Sequence, residues 1–114
     1  MPEKSIDEIC SAINAKVHVP GDGSRTVSRA TAGDLLSFVM GGDSAETAWV
    51  TIQTHLNIAA VAVLKEIPLI IIAAGRMPAP DLAARCRTEN ITLATSDASM
   101  FDTCLSLGRL GLSG

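Results

Sequence analysis

The stretch Leu69-Ile70-Ile71-Ile72-Ala73 is apolar at every position, and it decides the fold class. A strand without alternating apolar and polar residues is typical of a sheet that is covered on both faces. Two further short runs, residues 49–52 and 91–94, flank this stretch in the chain and also favour strands. Helical patterns follow the three runs at residues 57–65, 80–89 and 98–110. Strands and helices that alternate in this way predict a parallel sheet with helical crossovers.

The first 47 residues predict additional elements around this core. Residues 5–14 have apolar side chains at helical spacing, and Ser5 with Glu8 forms a capping box. Residues 17–19 and 26–30 favour extended structure, and residues 35–40 favour a helix that ends at Gly41-Gly42. We therefore expect residues 1–114 to form a single three-layer α/β domain. Its small, mainly parallel sheet has about four or five strands and carries helices on both faces.

The composition excludes several classes of protein. Nine basic and 12 acidic residues give a net charge of -3, and only 3% of residues are aromatic. A nucleic-acid-binding surface needs a basic face and, for single strands, aromatic side chains. Residues 58–74 are the most apolar segment, but Lys65, Glu66 and Pro68 interrupt it, so no membrane span is expected. The N-terminus lacks a signal-peptide pattern, which predicts a cytoplasmic protein.

The cysteines give no sign of a metal site or a redox pair. The chain has three of them, and no C-x-x-C or His/Cys cluster is present. We therefore expect no metal and no cofactor, and reduced, mostly buried cysteines.

Polar residues follow each of the three predicted strands, where ligands bind parallel α/β sheets. The loops also lead into helix N-termini, whose unpaired N–H groups favour anions. Arg76 would add a positive charge, Gly75 would permit close approach of a ligand, and His55 would add an imidazole. The candidate ligand-binding residues are Gln53, Thr54, His55, Asn57, Gly75, Arg76, Thr95 and Asp97.

Five of these residues also have a purely structural interpretation. Asn57 and Asp97 lie where helix N-caps are expected, and capping is the commoner role there. A histidine at the position of His55 is more often a structural or interface residue than a catalytic one, whereas Arg76 is equally compatible with a salt bridge and with a ligand contact. Gly75 suits a turn under either interpretation.

Catalytic signatures are absent from the sequence. Residues 21–26 resemble a phosphate-binding loop only faintly, since the spacing and the lysine of a P-loop are missing, and they predict a turn. There is no G-x-S-x-G motif, and no cysteine has a recognisable histidine partner. Asp34 and Glu46, with Asp43, suggest a carboxylate cluster, but solvated carboxylates explain Asp43 and Glu46 equally well.

The run from Thr31 to Leu112 resembles a DRTGG domain. The matching segments are residues 32–37 (AGDLLS), 48–57 (AWVTIQTHLN), 70–76 (IIIAAGR) and 91–95 (ITLAT). The Asp-Arg of the family name is replaced within residues 53–57, and the Thr-Gly-Gly part reads Ala73-Ala74-Gly75. This pattern resembles the stand-alone subgroup often encoded near iron-only hydrogenase genes, which is related to the N-terminal domain of HPr serine kinase/phosphorylase.

The resemblance implies a regulatory or dimer-forming module whose chemistry resides in other proteins or domains. The first hypothesis is therefore a non-catalytic homodimer that senses a small anionic metabolite or nucleotide at the three loops. The second is a purely structural interaction module that assists a redox enzyme of the hydrogenase type. The third, least favoured, is an enzyme that uses His55 as an acid/base group. Ala59, Ala60 and Ala62 are small enough for close packing across a two-fold axis or simply on the sheet.

Overall fold

The computed structural model describes residues 3–34 and 46–114. Four helices lie in these ranges: α1 (Ile6–Ala12), α2 (Asn57–Leu64), α3 (Pro80–Glu89) and α4 (Met100–Arg109). The strands of the described ranges are β1 (Lys4–Ser5), β2 (Lys16–Val19), β3 (Thr26–Val27), β4 (Arg29–Ala32), β5 (Thr47–Thr51), β6 (Leu69–Ile72) and β7 (Thr92–Thr95). The helix predicted over residues 35–40 and its end at Gly41-Gly42 lie outside the described residues.

The main sheet has five strands in the order β2-β7-β6-β5-β4. Strands β4 to β7 are parallel, and only β2, at one edge, runs antiparallel to its neighbour β7. Because strands β4 to β7 run in the same direction, their carboxyl ends form a row along one side of the sheet. This mainly parallel sheet confirms the predicted fold class.

Strand β6 divides the interior into two apolar clusters, because successive side chains point to opposite faces. Ile70 and Ile72 pack with α2 and α3, whereas Leu69 and Ile71 pack with α1 and α4. All four side chains are buried. The continuous apolar run in the sequence thus reflects helices on both faces, which makes the fold three-layered.

The N-terminal segment lies beside the main sheet. Glu8 and Ser5 form the predicted capping box: each backbone N–H donates to the other residue's side chain at 3.1 Å. Strands β1 and β3 form a separate antiparallel pair that the sequence analysis did not predict. The extended segment expected at residues 26–30 is two strands, β3 and β4. Residues Gly23 and Ser24 lie in a turn, as expected for the segment that faintly resembles a phosphate loop.

The helix caps predicted at Asn57 and Asp97 are wrong. Helix α2 begins at Asn57 itself, and Leu56 precedes it as a cap residue without a side-chain hydrogen bond. The cap of α4 is Ser99, whose hydroxyl accepts from the Asp102 N–H at 3.0 Å. Pro80 does occupy the first turn of α3, as predicted. None of the helices in the described ranges is long and apolar enough to cross a bilayer.

Candidate functional site

Asp34 follows β4 and binds the segment that leaves β5. Its Oδ1 accepts hydrogen bonds from the Thr51 hydroxyl at 2.7 Å and from the Ile52 N–H at 2.9 Å. Its main-chain carbonyl accepts from Gln53 Nε2 at 2.8 Å. Two neighbouring strands end at this point, so these bonds hold the first residues of the β5 loop against the end of β4.

A cavity of about 220 Å³ opens at this end of the sheet. It is lined by residues from the ends of three neighbouring strands: Asp34, Ile52, Gln53, Thr54, His55 and Arg76. Four of the eight predicted ligand-binding residues are thus brought together. The site presents a carboxylate, an amide, a hydroxyl, an imidazole and a guanidinium, a set that offers both donors and acceptors.

The loop after β6 carries Arg76 to this cavity. Ala74 and Gly75 both have left-handed backbone conformations, with φ of 62° and 68°. The Ala74 N–H donates to the Ala98 carbonyl at 2.7 Å, and the Gly75 N–H donates to the Ser96 carbonyl at 2.9 Å. A glycine therefore suits position 75 because of the turn, as expected under both interpretations of this residue.

Arg76 and His55 are both exposed and available to a ligand. Within residues 3–34 and 46–114, the Arg76 guanidinium forms no salt bridge, and neither side chain hydrogen-bonds to the protein. A catalytic histidine is normally oriented by a second group on its other ring nitrogen. No group in the described part of the chain orients the His55 imidazole.

The other four predicted residues, which include Gly75, do not line the cavity. Asn57 is exposed at the start of α2. Asp97 lies beside the β6 loop, where its Oδ1 would be 3.8 Å from a Cβ added at Gly75. Thr95 is buried, and its hydroxyl forms a 2.8 Å hydrogen bond with His18 Nε2 across the β2–β7 pair. Thr95 thus belongs to the sheet.

Away from the cavity, burial within the fold shifts the pKa values of one histidine and two cysteines. Burial, and secondarily Lys16, lowers the pKa of His18. Burial raises the pKa of both Cys10 and Cys86 to about 11, which keeps these thiols protonated at neutral pH. No cluster of His, Cys, Asp and Glu suited to a metal ion exists among the described residues.

Comparison with known proteins finds a similar fold among solved structures but no related sequence family. No family model matches the sequence, and no curated protein matches it. One similar solved structure is the regulatory region of a Clostridium perfringens pyrophosphatase, comprising CBS and DRTGG domains in complex with the activator diadenosine tetraphosphate. The TM-score is 0.78 at 15% sequence identity. The fold is DRTGG-like.

The match covers 93% of this chain and 46% of that chain, so the protein spans slightly under half of the solved regulatory region. The DRTGG-like fold agrees with the resemblance found in the sequence.

Sequence reasoning missed Asp34 and Ile52 as residues of the site. Asp34 was considered only as part of a carboxylate cluster, but its carboxylate binds Thr51 and the Ile52 N–H. A signal was present, because Asp34 lies directly beyond the extended segment that contains β4, where a parallel strand ends.

Proposed function

We propose that this protein is a non-catalytic regulatory module that binds a small anionic ligand in the cavity beside Arg76. The observation that carries the proposal is an exposed guanidinium without a salt bridge in the described residues, at the rim of a cavity formed by three strand ends. A guanidinium recognises phosphate and carboxylate groups through paired hydrogen bonds. Residues 1–114 act in this proposal as one domain.

The polar groups of the cavity support a nucleotide or another phosphorylated metabolite. Arg76 provides the contact to the phosphate, with His55 beside it. Gln53 and Thr54 supply further donors and acceptors for hydroxyl or base groups. Pockets that enclose drug-sized ligands usually measure about 300–1,000 Å³. The cavity of about 220 Å³ therefore suits one phosphorylated fragment, with the rest of a larger ligand outside.

The solved neighbour gives independent support. It is a regulatory region, and its ligand is a dinucleotide with four phosphates. A module with the same fold and an available arginine at the strand ends is consistent with nucleotide sensing. The lack of an orienting partner for His55 among the described residues favours sensing over acid/base catalysis.

Calorimetric titration tests the ligand site. The panel contains inorganic phosphate, AMP, ATP and diadenosine tetraphosphate, each added to wild-type protein and to two variants. Arg76→Ala should weaken binding about 10-fold or more, because a charge-assisted hydrogen bond is lost. Arg87→Ala removes the same charge from an exposed position outside the cavity and should bind as wild type does. Absence of binding by wild type across the panel would refute the sensing function.

The remaining parts of the proposal concern assembly. The module acts as a homodimer in the cytoplasm, and the segments shared with DRTGG domains favour the stand-alone, hydrogenase-associated subgroup. The alternative is a structural module that docks on a redox enzyme. Exposed apolar side chains such as Met77 and Phe101 favour docking of some kind. Ala59 and Ala62 are buried within the protein and offer no contact surface, although Ala60 is exposed.

A further inference from the structure

The outer face of α4 combines exposed apolar and charged residues. Thr103 and Leu107 are buried on the inner side of the helix. On the outer side, Phe101 is 73% exposed and Leu105 is 40% exposed. Phe101 and Leu105 are four residues apart and are therefore neighbours on the helix surface. An exposed apolar patch is typical of an interaction surface.

The residues of this face occur in pairs separated by two helical turns. Phe101 and Gly108 are seven residues apart and lie on one side of Leu105. Asp102 and Arg109 are also seven residues apart and lie on its other side. All five residues are exposed, and Leu105 is at the centre of both pairs.

Gly108 leaves open space above the helix and lies at the edge of a groove. A Cβ added at Gly108 would meet nothing within 4 Å. Beside it lies a groove of about 210 Å³ between α4 and the edge strand β4, lined by Cys104, Leu112 and the β4 segment around Thr31. The α4 face thus has a protruding aromatic ring at one end and a hollow two turns away at the other.

We propose that a second copy of this chain packs its α4 antiparallel against this face, around a two-fold axis at Leu105. A two-fold operation that reverses the helix brings Phe101 over the partner's Gly108, and the partner's Phe101 over Gly108. The same operation brings Asp102 next to the partner's Arg109 on the other side of the axis. The two Leu105 side chains meet at the centre.

Charge complementarity identifies the occupant as a second copy. A two-fold interface must be self-complementary, because each residue meets a residue of the same patch. Here a single two-fold axis brings Phe101 onto the partner's Gly108 and also brings Asp102 next to the partner's Arg109. The helix dipole by itself favours Asp102 near the start of α4 and Arg109 at its end, but it explains neither the exposed Phe101 nor the open space at Gly108.

This interface deepens the homodimer of the proposed function, and its test needs no ligand. Sedimentation equilibrium over a concentration series measures the dimer dissociation constant of wild type and variants. Phe101→Ala should weaken the dimer about 100-fold, since two aromatic anchors are lost per dimer. Leu64→Ala truncates an exposed leucine on α2 and should leave the dissociation constant unchanged.

The variant Gly108→Leu distinguishes an effect on the dimer interface from an effect on folding. The new side chain enters open space in the monomer and replaces the helix-disfavouring glycine. At protein concentrations where wild type is monomeric, the variant should therefore melt no lower than wild type. The new side chain occupies the position of the partner's Phe101, so it should also weaken the dimer about 100-fold.

Charge reversal tests the pairing itself. Asp102→Arg and Arg109→Asp should each weaken the dimer, and the double variant should bind more tightly than either single variant. Neither reversal suits the helix dipole, so recovery in the double variant reports the contact between subunits.

Two results would overturn the interface: a monomeric wild type at all concentrations, or a Gly108→Leu protein that dimerises as wild type does. A protein that dimerises through α4 but binds no member of the ligand panel would refute the sensing function and leave the interface standing.

Discussion

Replacing Asp34 by alanine should destabilise the protein by about 3 kcal/mol. The change removes the acceptor of two hydrogen bonds, from the Thr51 hydroxyl at 2.7 Å and from the Ile52 N–H at 2.9 Å. Bonds to a charged group contribute about 1.5–3 kcal/mol each, and partial exposure of Asp34 puts both near the lower end. The loss is a large share of the roughly 5–15 kcal/mol that stabilises a typical domain.

Urea unfolding followed by tryptophan fluorescence measures this loss. Trp49 is the single tryptophan, and it is fully buried, so its emission reports exposure of the sheet. Its indole N–H donates to the Gly33 carbonyl at 2.9 Å, next to the mutated position. Circular dichroism should therefore be recorded in parallel, to distinguish a local change at Trp49 from global unfolding.

Two further variants make the prediction specific. Asp34→Asn keeps a side-chain oxygen in place and should lose only about 1 kcal/mol. Thr51→Val removes the hydroxyl donor, and combining it with Asp34→Ala gives a double-mutant cycle. The Asp34 and Thr51 effects should be coupled by about 1 kcal/mol. A loss below about 1 kcal/mol for Asp34→Ala, or purely additive effects in the cycle, would show that Asp34 does not hold the β5 loop.

Two other predictions concern the sheet edge and the β6 loop. Burial lowers the pKa of His18 below its usual 6.5, so its contribution to stability is present above pH 6.5 and is lost as the pH falls through the lower folded-state pKa. Melting temperatures between pH 7 and 5 should therefore fall less steeply for His18→Gln than for wild type, and parallel curves would contradict this assignment. Ala74→Gly should stabilise the protein by about 1 kcal/mol in urea titrations, because φ is 62° there, and a destabilised variant would rule out backbone strain at Ala74.

The sheet was predictable because its signals are local. The apolar run of β6 requires cover on both faces, and the structure provides it with two helices on each side. The start of α3 at Pro80 and the Ser5–Glu8 capping box depend on residues within one helical turn. The β1–β3 pair was missed because each strand has two residues, too few to produce a pattern.

The candidate site was predictable only in part because its contacts join distant residues. The sequence indicates that polar loops follow β5 and β6, and the cavity combines them. The hydrogen bond between Asp34 and Thr51 joins residues that are 17 positions apart in the chain, and no sequence pattern predicts a contact at that separation. The prediction of Asp97 as the cap of α4 was wrong because aspartate and serine are both good cap residues. The helix begins at Met100, so Ser99 occupies the cap position.

Thr95 lies outside the cavity for a related reason. The third strand of the sequence prediction ends one residue later in the structure, at Thr95 itself. Its side chain therefore belongs to the β2–β7 pair, where it meets His18.

The antiparallel edge strand has a consequence for biosynthesis. Residues 16–19 of β2 pair with residues 93–95 of β7, and the Ala30 N–H donates to the Ser113 carbonyl at 2.9 Å. Both contacts join an early segment of the chain to a segment that leaves the ribosome much later. The pairing of β2 with β7 therefore forms only after residues 93–95 have been synthesised, and we expect it to be among the last contacts of the sheet to form.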